Sequence, residues 1–195
     1  MRMGWMVCAL ALGLLGIPLS AVAEERSPEP STPARLDHLA STYTTPNAIA
    51  AFLQKEFTFT WDDELFGEAD RWQSPEEFLA RKAGDCEDYA LLARALLRRN
   101  GIEAYVFSVF GHEGYAHTVC VFVDARGRYH VIDVDKLRAL HVKSLEGVAS
   151  WLSPSWTVGA IAEQAGAHGQ MVTQLTNSHP APLRAFTDPL ASVSF

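Results

Sequence analysis

Cysteine is scarce in this chain of 195 residues, which carries only Cys8, Cys86 and Cys120. That excludes a scaffold built on disulfides. Basic residues are outnumbered, 16 against 23 acidic, for a net charge of −7, and they form no cluster along any face. Nucleic acid and anionic membranes are poor partners for such a surface. There is no internal repeat, so a solenoid is excluded as well.

What is present is a hydrophobic content of 48%, enough for one domain with a proper core. The first 23 residues have Arg2 as a short positive start, then an apolar run through Val7, Leu10, Leu12, Leu14, Leu15 and Ile17, then Pro18. Small residues follow at Ala21-Val22-Ala23. This is the anatomy of a secretory signal, too short and wrongly flanked for a permanent membrane span. Residues 1–23 are therefore expected to be a signal peptide and the rest a periplasmic or secreted protein without stable membrane insertion. A lipoprotein would need its cysteine at the end of the apolar run, and Cys8 sits near the beginning. Residues 24–35 read as a flexible leader with three prolines, residues 36–176 as the folded domain, and residues 177–195 as a poorly ordered tail. A monomer is expected.

Thr45-Pro46 predicts a helix start, and Ile49, Phe52, Leu53 and Phe57 repeat at helical spacing. Phe57 to Trp61 reads as a short strand or an extended entry. Ser74-Pro75-Glu76-Glu77 is a capping box. Asp85 is the expected N-cap of a further helix, which makes Cys86 its first residue and ends it near Asn100-Gly101. From Glu103 the period becomes two: strands are predicted at Tyr105 to Phe110, Tyr115 to Asp124 and Tyr129 to Val134, with Gly127 closing a three-residue hairpin loop. That loop sets residue 124 opposite 128, and hence 119 opposite 133. Leu145 to Leu152 and Val158 to Leu175 hold possible helices, and Trp151 and Trp156 are expected to pack on the domain.

A thiol at a helix start is favoured as an anion by unpaired N–H groups and the positive dipole end. His117 shares a strand face with Val119, Val121 and Val123, while Cys120 points the other way. If Cys86 approaches the His117 face, Cys120 is on the wrong side to bridge it and reads as an apolar filler. In the expected register Asp133 is a diagonal neighbour of His117, and Asp135 is directly opposite it. Either can accept the N–H that fixes the histidine tautomer, with Asp133 favoured because it lies inside an apolar strand. Cysteine, histidine and aspartate in these places follow triad logic. The N–H of Cys86 is the simplest oxyanion donor, with an upstream amide or the indole of Trp72 or Trp61 as a second.

Trp72, Ser74-Pro75-Glu76-Glu77-Phe78, Gly84-Asp85-Cys86-Glu87-Asp88-Tyr89, His117 and Ile132-Asp133 together resemble the transglutaminase-like superfamily. Within it the chain is most similar to bacterial transglutaminase-like cysteine proteinases, whose periplasmic members clip large surface adhesins. The resemblance spans roughly Pro46 to Leu140. It implies a papain-like α+β fold, with the nucleophile at the N-terminus of a helix packed on an antiparallel sheet. It further implies Cys86 as nucleophile, His117 as base, Asp133 as orienter, and calcium at the acids flanking the cysteine. Asp85, Glu87 and Asp88 can equally be read as caps compensating the helix dipole. As anions they raise the thiol pKa, and a hard cation on their oxygens would cancel that penalty. Asp62, Asp63 and Glu64 are further oxygen donors, although the spacing is not that of an EF-hand. The expected activity is hydrolysis of a peptide or amide bond in a protein or peptide substrate at the cell surface. Acyl transfer to an amine, or peptide binding without turnover, are the alternatives the triad leaves open.

Overall fold

The helix beginning at Cys86 organises the fold. The structure, a computed structural model, describes residues 32–178. The expected signal peptide, most of the leader and the tail from residue 179 lie outside the described residues. In chain order the elements are α1 (Thr32–Thr42), α2 (Pro46–Glu56), β1 (Thr58–Phe59), α3 (Asp62–Phe66), α4 (Pro75–Arg81), β2 (Ala83–Gly84) and α5 (Cys86–Arg99). There follow β3 (Ala104–Gly111), a single 3-10 turn, β4 (Ala116–Val123), β5 (Tyr129–Asp133), β6 (Lys136–Ala139), α6 (Leu145–Leu152), β7 (Trp156–Ala165) and β8 (His168–Thr176). α1 starts within the stretch expected to be leader, and Leu36 anchors it in the core.

α5 is rich in Ala, Leu and Arg, all strong helix formers. It ends at Asn100, followed by Gly101 at φ +73°, a left-handed residue that only glycine adopts freely. Asn100 Nδ2 donates to the Leu96 and Tyr43 carbonyls, tying the helix end to the α1–α2 link. Ala90 and Ala93 are small enough to bring α5 flat against the sheet, where Leu91, Leu92, Leu96 and Leu97 are fully enclosed. Burying each such leucine contributes about 1.5–3 kcal/mol. The capping box at Ser74 and Glu77 and the Thr45 cap form as the sequence predicts.

The main sheet runs β6-β5-β4-β3-β7-β8, antiparallel throughout, with β1 and β2 as a separate parallel pair. One face packs on α5 through Val106, Cys120, Phe122 and Ile132. The other carries Phe107, Val109, Val119, Val121 and Val131 under α6 and Trp156. The predicted β4–β5 register holds: Cys120 pairs with Ile132 and Val123 with Tyr129, with Gly127 at φ +74° in the loop. Trp156 is buried, whereas Trp151 is exposed rather than packed on the domain.

The helix expected over Val158 to Leu175 is instead the β7–β8 hairpin. Glycine at 159, 166 and 169 weakens a helix, and Gly166 at φ +64° opens the two-residue turn between Ala165 and His168. The sheet edge continues through Asn177, whose N–H donates to the Thr157 carbonyl, so the chain is still held one residue past β8. At the hairpin tip the Trp72 N–H donates to the Ala167 carbonyl at 3.0 Å, and the indole lies flush on Gly169. A Cβ at Gly169 would come within 2.4 Å of Trp72 Cζ2. Gly169→Ala is therefore expected to destabilise by about 1–3 kcal/mol through overpacking, read as a fall of several degrees in melting temperature. An unchanged transition would show that the tip does not bear on Trp72.

Candidate active site

Cys86 is the first residue of α5, and Asp85 ahead of it has extended backbone at the N-cap position. Contrary to the expected capping, the Asp85 side chain makes no cap hydrogen bond. The Cys86 thiol donates to Glu87 Oε2 at 3.3 Å, and the backbone N–H of Thr118 is near enough to act on the sulfur electrostatically. Burial pushes the thiol well above its ordinary range, and the charges of Glu87 and Asp85 add to that; the Thr118 N–H opposes them.

His117 and Asp133 are brought together across β4 and β5. His117 Nε2 lies 2.7 Å from Asp133 Oδ1, and both side chains are largely buried. Asp135, the alternative orienter, instead meets Lys136 Nζ at 3.2 Å. The twist of paired strands brings the diagonal neighbour nearer than the residue directly opposite, and β5 ends at Asp133. With Nε2 occupied, Nδ1 is the ring nitrogen left for a thiol proton.

Cys86 and Cys120 are both free thiols. The sides of the sheet differ from expectation, because Cys120 faces α5 rather than away from it. What separates the thiols is distance along the helix. Cys120 lies beside Arg94 and Arg98, roughly 12 Å or more down α5 from Cys86 at 1.5 Å per residue, beyond the reach of a disulfide. Burial raises the Cys120 thiol to about 12, as suits an inert filler. Cys86 reaches the sheet where the β4–β5 ladder stops, ahead of Cys120 and Ile132.

Four carboxyl groups are buried around this helix start: Asp62, Asp85, Glu87 and Asp88. Among the described residues no Lys or Arg forms an ion pair with any of them. Burial raises Asp62 to about 6 and Asp88 to about 7. Burial, with Asp85 beside it, lifts Glu87 to about 10, and Asp85 is raised chiefly by burial. Asp62 Oδ1, Asp85 Oδ1 and Glu87 Oε1 have no hydrogen-bond partner. One oxygen from each of Asp62, Asp85 and Asp88 lies within 4.8 Å of the others, and the same holds for Asp62, Asp70 and Glu87.

Asp88 differs from the other three because its oxygens are engaged. Oδ1 accepts from the Gln73 N–H at 2.8 Å and Oδ2 from Gln73 Nε2. Gln73 Nε2 also donates to the Ala83 carbonyl, and its Oε1 accepts from Arg81 Nε. A Cβ at Gly84 would sit 2.0 Å from Asp88 Oδ2, which explains why glycine precedes Asp85-Cys86. Gln73 and this role of Gly84 were not read from the sequence, since a buried glutamine next to a tryptophan carries no spacing signal. Of the three further oxygen donors expected from the sequence, α3 turns Asp62 inward while Asp63 and Glu64 stay exposed.

Trp72 is displaced from the oxyanion role expected of it. Its indole N–H donates to Asp70 Oδ1 at 3.2 Å, and its ring is committed to Gly169. Trp61 is 53% exposed and lies edge-on to Phe59.

A cysteine opening a helix, seated against an antiparallel sheet that carries a paired histidine and aspartate, defines an α+β protein of the transglutaminase-like class. The family model described as transglutaminase-like domain matches residues 37–146, more than half of the chain. The chain belongs to that family. Calcium-bound LapG of Legionella pneumophila is similar at 18% identity and a TM-score of 0.46, covering 76% of this chain and 81% of LapG. EGTA-treated LapG gives 17%, 0.44, 72% and 85%, respectively. A putative cysteine protease from Cytophaga hutchinsonii gives 15% and 0.42, covering 74% of this chain and 50% of its own. No curated protein matches.

The raised carboxyls set a pH dependence. An ordinary aspartate has a pKa of 3.8, so between that and about 7 the folded state holds protons on Asp62 and Asp88 that the unfolded chain has released. Stability contributed this way is full below about pH 4 and is lost as pH rises through 6 to 7. Metal-free protein is thus expected to melt several degrees lower at about pH 7.5 than at about pH 5, and Asp88→Asn should flatten that slope. A melting temperature that rises over the same interval would contradict it.

Proposed function

We propose that this protein is a thiol hydrolase that cleaves a peptide or amide bond in a protein substrate. The reading is carried by the 2.7 Å contact of His117 with Asp133, at the end of the β4–β5 ladder to which Cys86 opens its helix. Asp133 accepts a hydrogen bond from Nε2–H and so holds the tautomer whose Nδ1 takes the Cys86 proton. The thiolate attacks the carbonyl, the Cys86 N–H supports the oxyanion, and the imidazolium returns its proton to the leaving amine. Water, activated by the same imidazole, then resolves the thioester.

A hard divalent cation of the calcium type fits the acids at the helix start. Their three orphaned oxygens are all carboxylate, the donor such ions prefer, and taken in pairs the three residues bring an oxygen within 4.8 Å of one another with no Lys or Arg ion-paired to them among the described residues. Asp62, Asp85 and Glu87 would hold it, with Asp88 kept on Gln73 as support. When bound, the cation supplies positive charge that offsets the acids and favours the thiolate. The signal-peptide pattern of residues 1–23 supports export to the periplasm or beyond, and the protein is taken to act as a monomer. Among the described residues no helix is long and apolar enough to cross a membrane.

Cys86→Ala and His117→Ala should lower hydrolysis by about 10⁴-fold or more, and Asp133→Asn by about 10²–10⁴-fold, with folding retained. Incubation with shed surface proteins and with a labelled amine separates the products: fragments support hydrolysis, amine incorporation supports acyl transfer. Full activity in Cys86→Ala would end the reading. Independently, millimolar calcium should raise the melting temperature over an EGTA control, and Glu87→Gln or Asp62→Asn should remove the difference. An identical melting temperature in calcium and EGTA would exclude the site.

A further inference from the structure

Val134 directly follows Asp133 and sits at φ +52°. For a β-branched residue this left-handed region is an outlier, because Cβ crowds the neighbouring carbonyl. Among the described residues the other non-glycine at positive φ is Lys82, the C-cap of α4, where a left-handed residue closes a helix. Val134 has no helix to close. It takes the first place in the two-residue turn between Asp133 of β5 and Lys136 of β6, where glycine or asparagine is the ordinary choice. What glycine would lack is the side chain. Val134 packs against the apolar cluster that includes Phe57 and Tyr89. Tyr89 lies one turn beyond Cys86 on α5, and Asp135, the other residue of the turn, is close enough to raise its hydroxyl electrostatically. The turn that ends the aspartate's strand is therefore docked on the apolar ground beneath the cysteine's helix.

The register adds a second consequence. Asp124 N–H donates to the Arg128 carbonyl, so hydrogen-bonded pairs of β4 and β5 recur at every second residue, through Cys120 and Ile132. One step further would set Val134 opposite Thr118, with the Thr118 N–H donating to it. The left-handed backbone turns the chain away at that point. The Thr118 N–H is thereby left outside the β4–β5 ladder, on the side where Cys86 approaches.

We infer that Val134 is a positioning residue: its left-handed backbone and packed side chain hold Asp133 on His117 and open the gap in the sheet where Cys86 approaches Thr118. The inference rests on reading Cys86, His117 and Asp133 as the reacting set. Its test keeps the turn but removes the anchor. Val134→Gly accepts positive φ without strain, and Val134→Asn, which also tolerates it, serves if the glycine variant does not fold. In the parent, the His117 Nε2 proton held by Asp133 should give a downfield, exchange-protected proton NMR resonance, assigned by its loss in His117→Ala. In the variant that resonance should broaden or vanish and the Thr118 amide should shift. The melting temperature should stay within a few degrees of the parent. Turnover of p-nitrophenyl acetate in millimolar calcium should show kcat about 10- to 10²-fold lower, with KM changed about twofold at most. An unaltered resonance and kcat would overturn the inference, as would losses that merely follow a falling melting temperature. If the resonance responds to Val134 while the parent turns over neither ester nor protein, the positioning stands and the hydrolase reading fails.

Discussion

Four carboxyl groups enclosed around one helix start constrain everything near the sulfur. Burial of this kind is costly for anions, and the fold meets it in two different ways. Asp88 is matched group for group by Gln73, so it behaves as a strut between the segment ahead of α4 and the first turn of α5. Asp62, Asp85 and Glu87 each keep an oxygen without a partner. The first arrangement is complete in itself; the second leaves three buried carboxylate oxygens without a partner.

The sheet supplies the other half of the site. Small residues on α5 allow close approach, the helix start overhangs the end of the β4–β5 ladder, and the histidine stands at the same end. Sulfur and imidazole are thus carried by elements whose separation is fixed by core packing rather than by loops. The placing of sulfur and imidazole is inherited from the packing of Ala90, Ala93 and Cys120.

Much of this was legible in the sequence because it rests on local rules. Asp124 to Arg128 with Gly127 set the hairpin, the hairpin set the register, and the register set Asp133 as the diagonal neighbour of His117. Gly84-Asp85 before an apolar-periodic run placed Cys86 at the helix start. What was not legible depends on long-range packing. Strand parity says which residues share a face but not which face meets α5, so Cys120 was assigned to the wrong side. The indole N–H of Trp72 donates to Asp70 only two residues away, and its ring is turned there by the β7–β8 tip, which no local spacing announces. The β7–β8 hairpin was misread because its apolar residues also satisfy a helical spacing, and the glycine at its turn was given too little weight.

The contact between Trp72 and the β7–β8 tip also bears on where the domain can be cut. The family match stops at residue 146, which invites an expression boundary there. Such a truncation would leave out Ala167 and Gly169, which receive the Trp72 N–H and indole, and Gln164, whose side chain donates to the Trp72 carbonyl. Trp72 sits between Arg71, which braces Asp62, and Gln73, which braces Asp88. The minimal unit able to keep its acids in place therefore extends about thirty residues past the recognisable family segment, and a fragment trimmed to that segment would be a different protein chemically as well as in length.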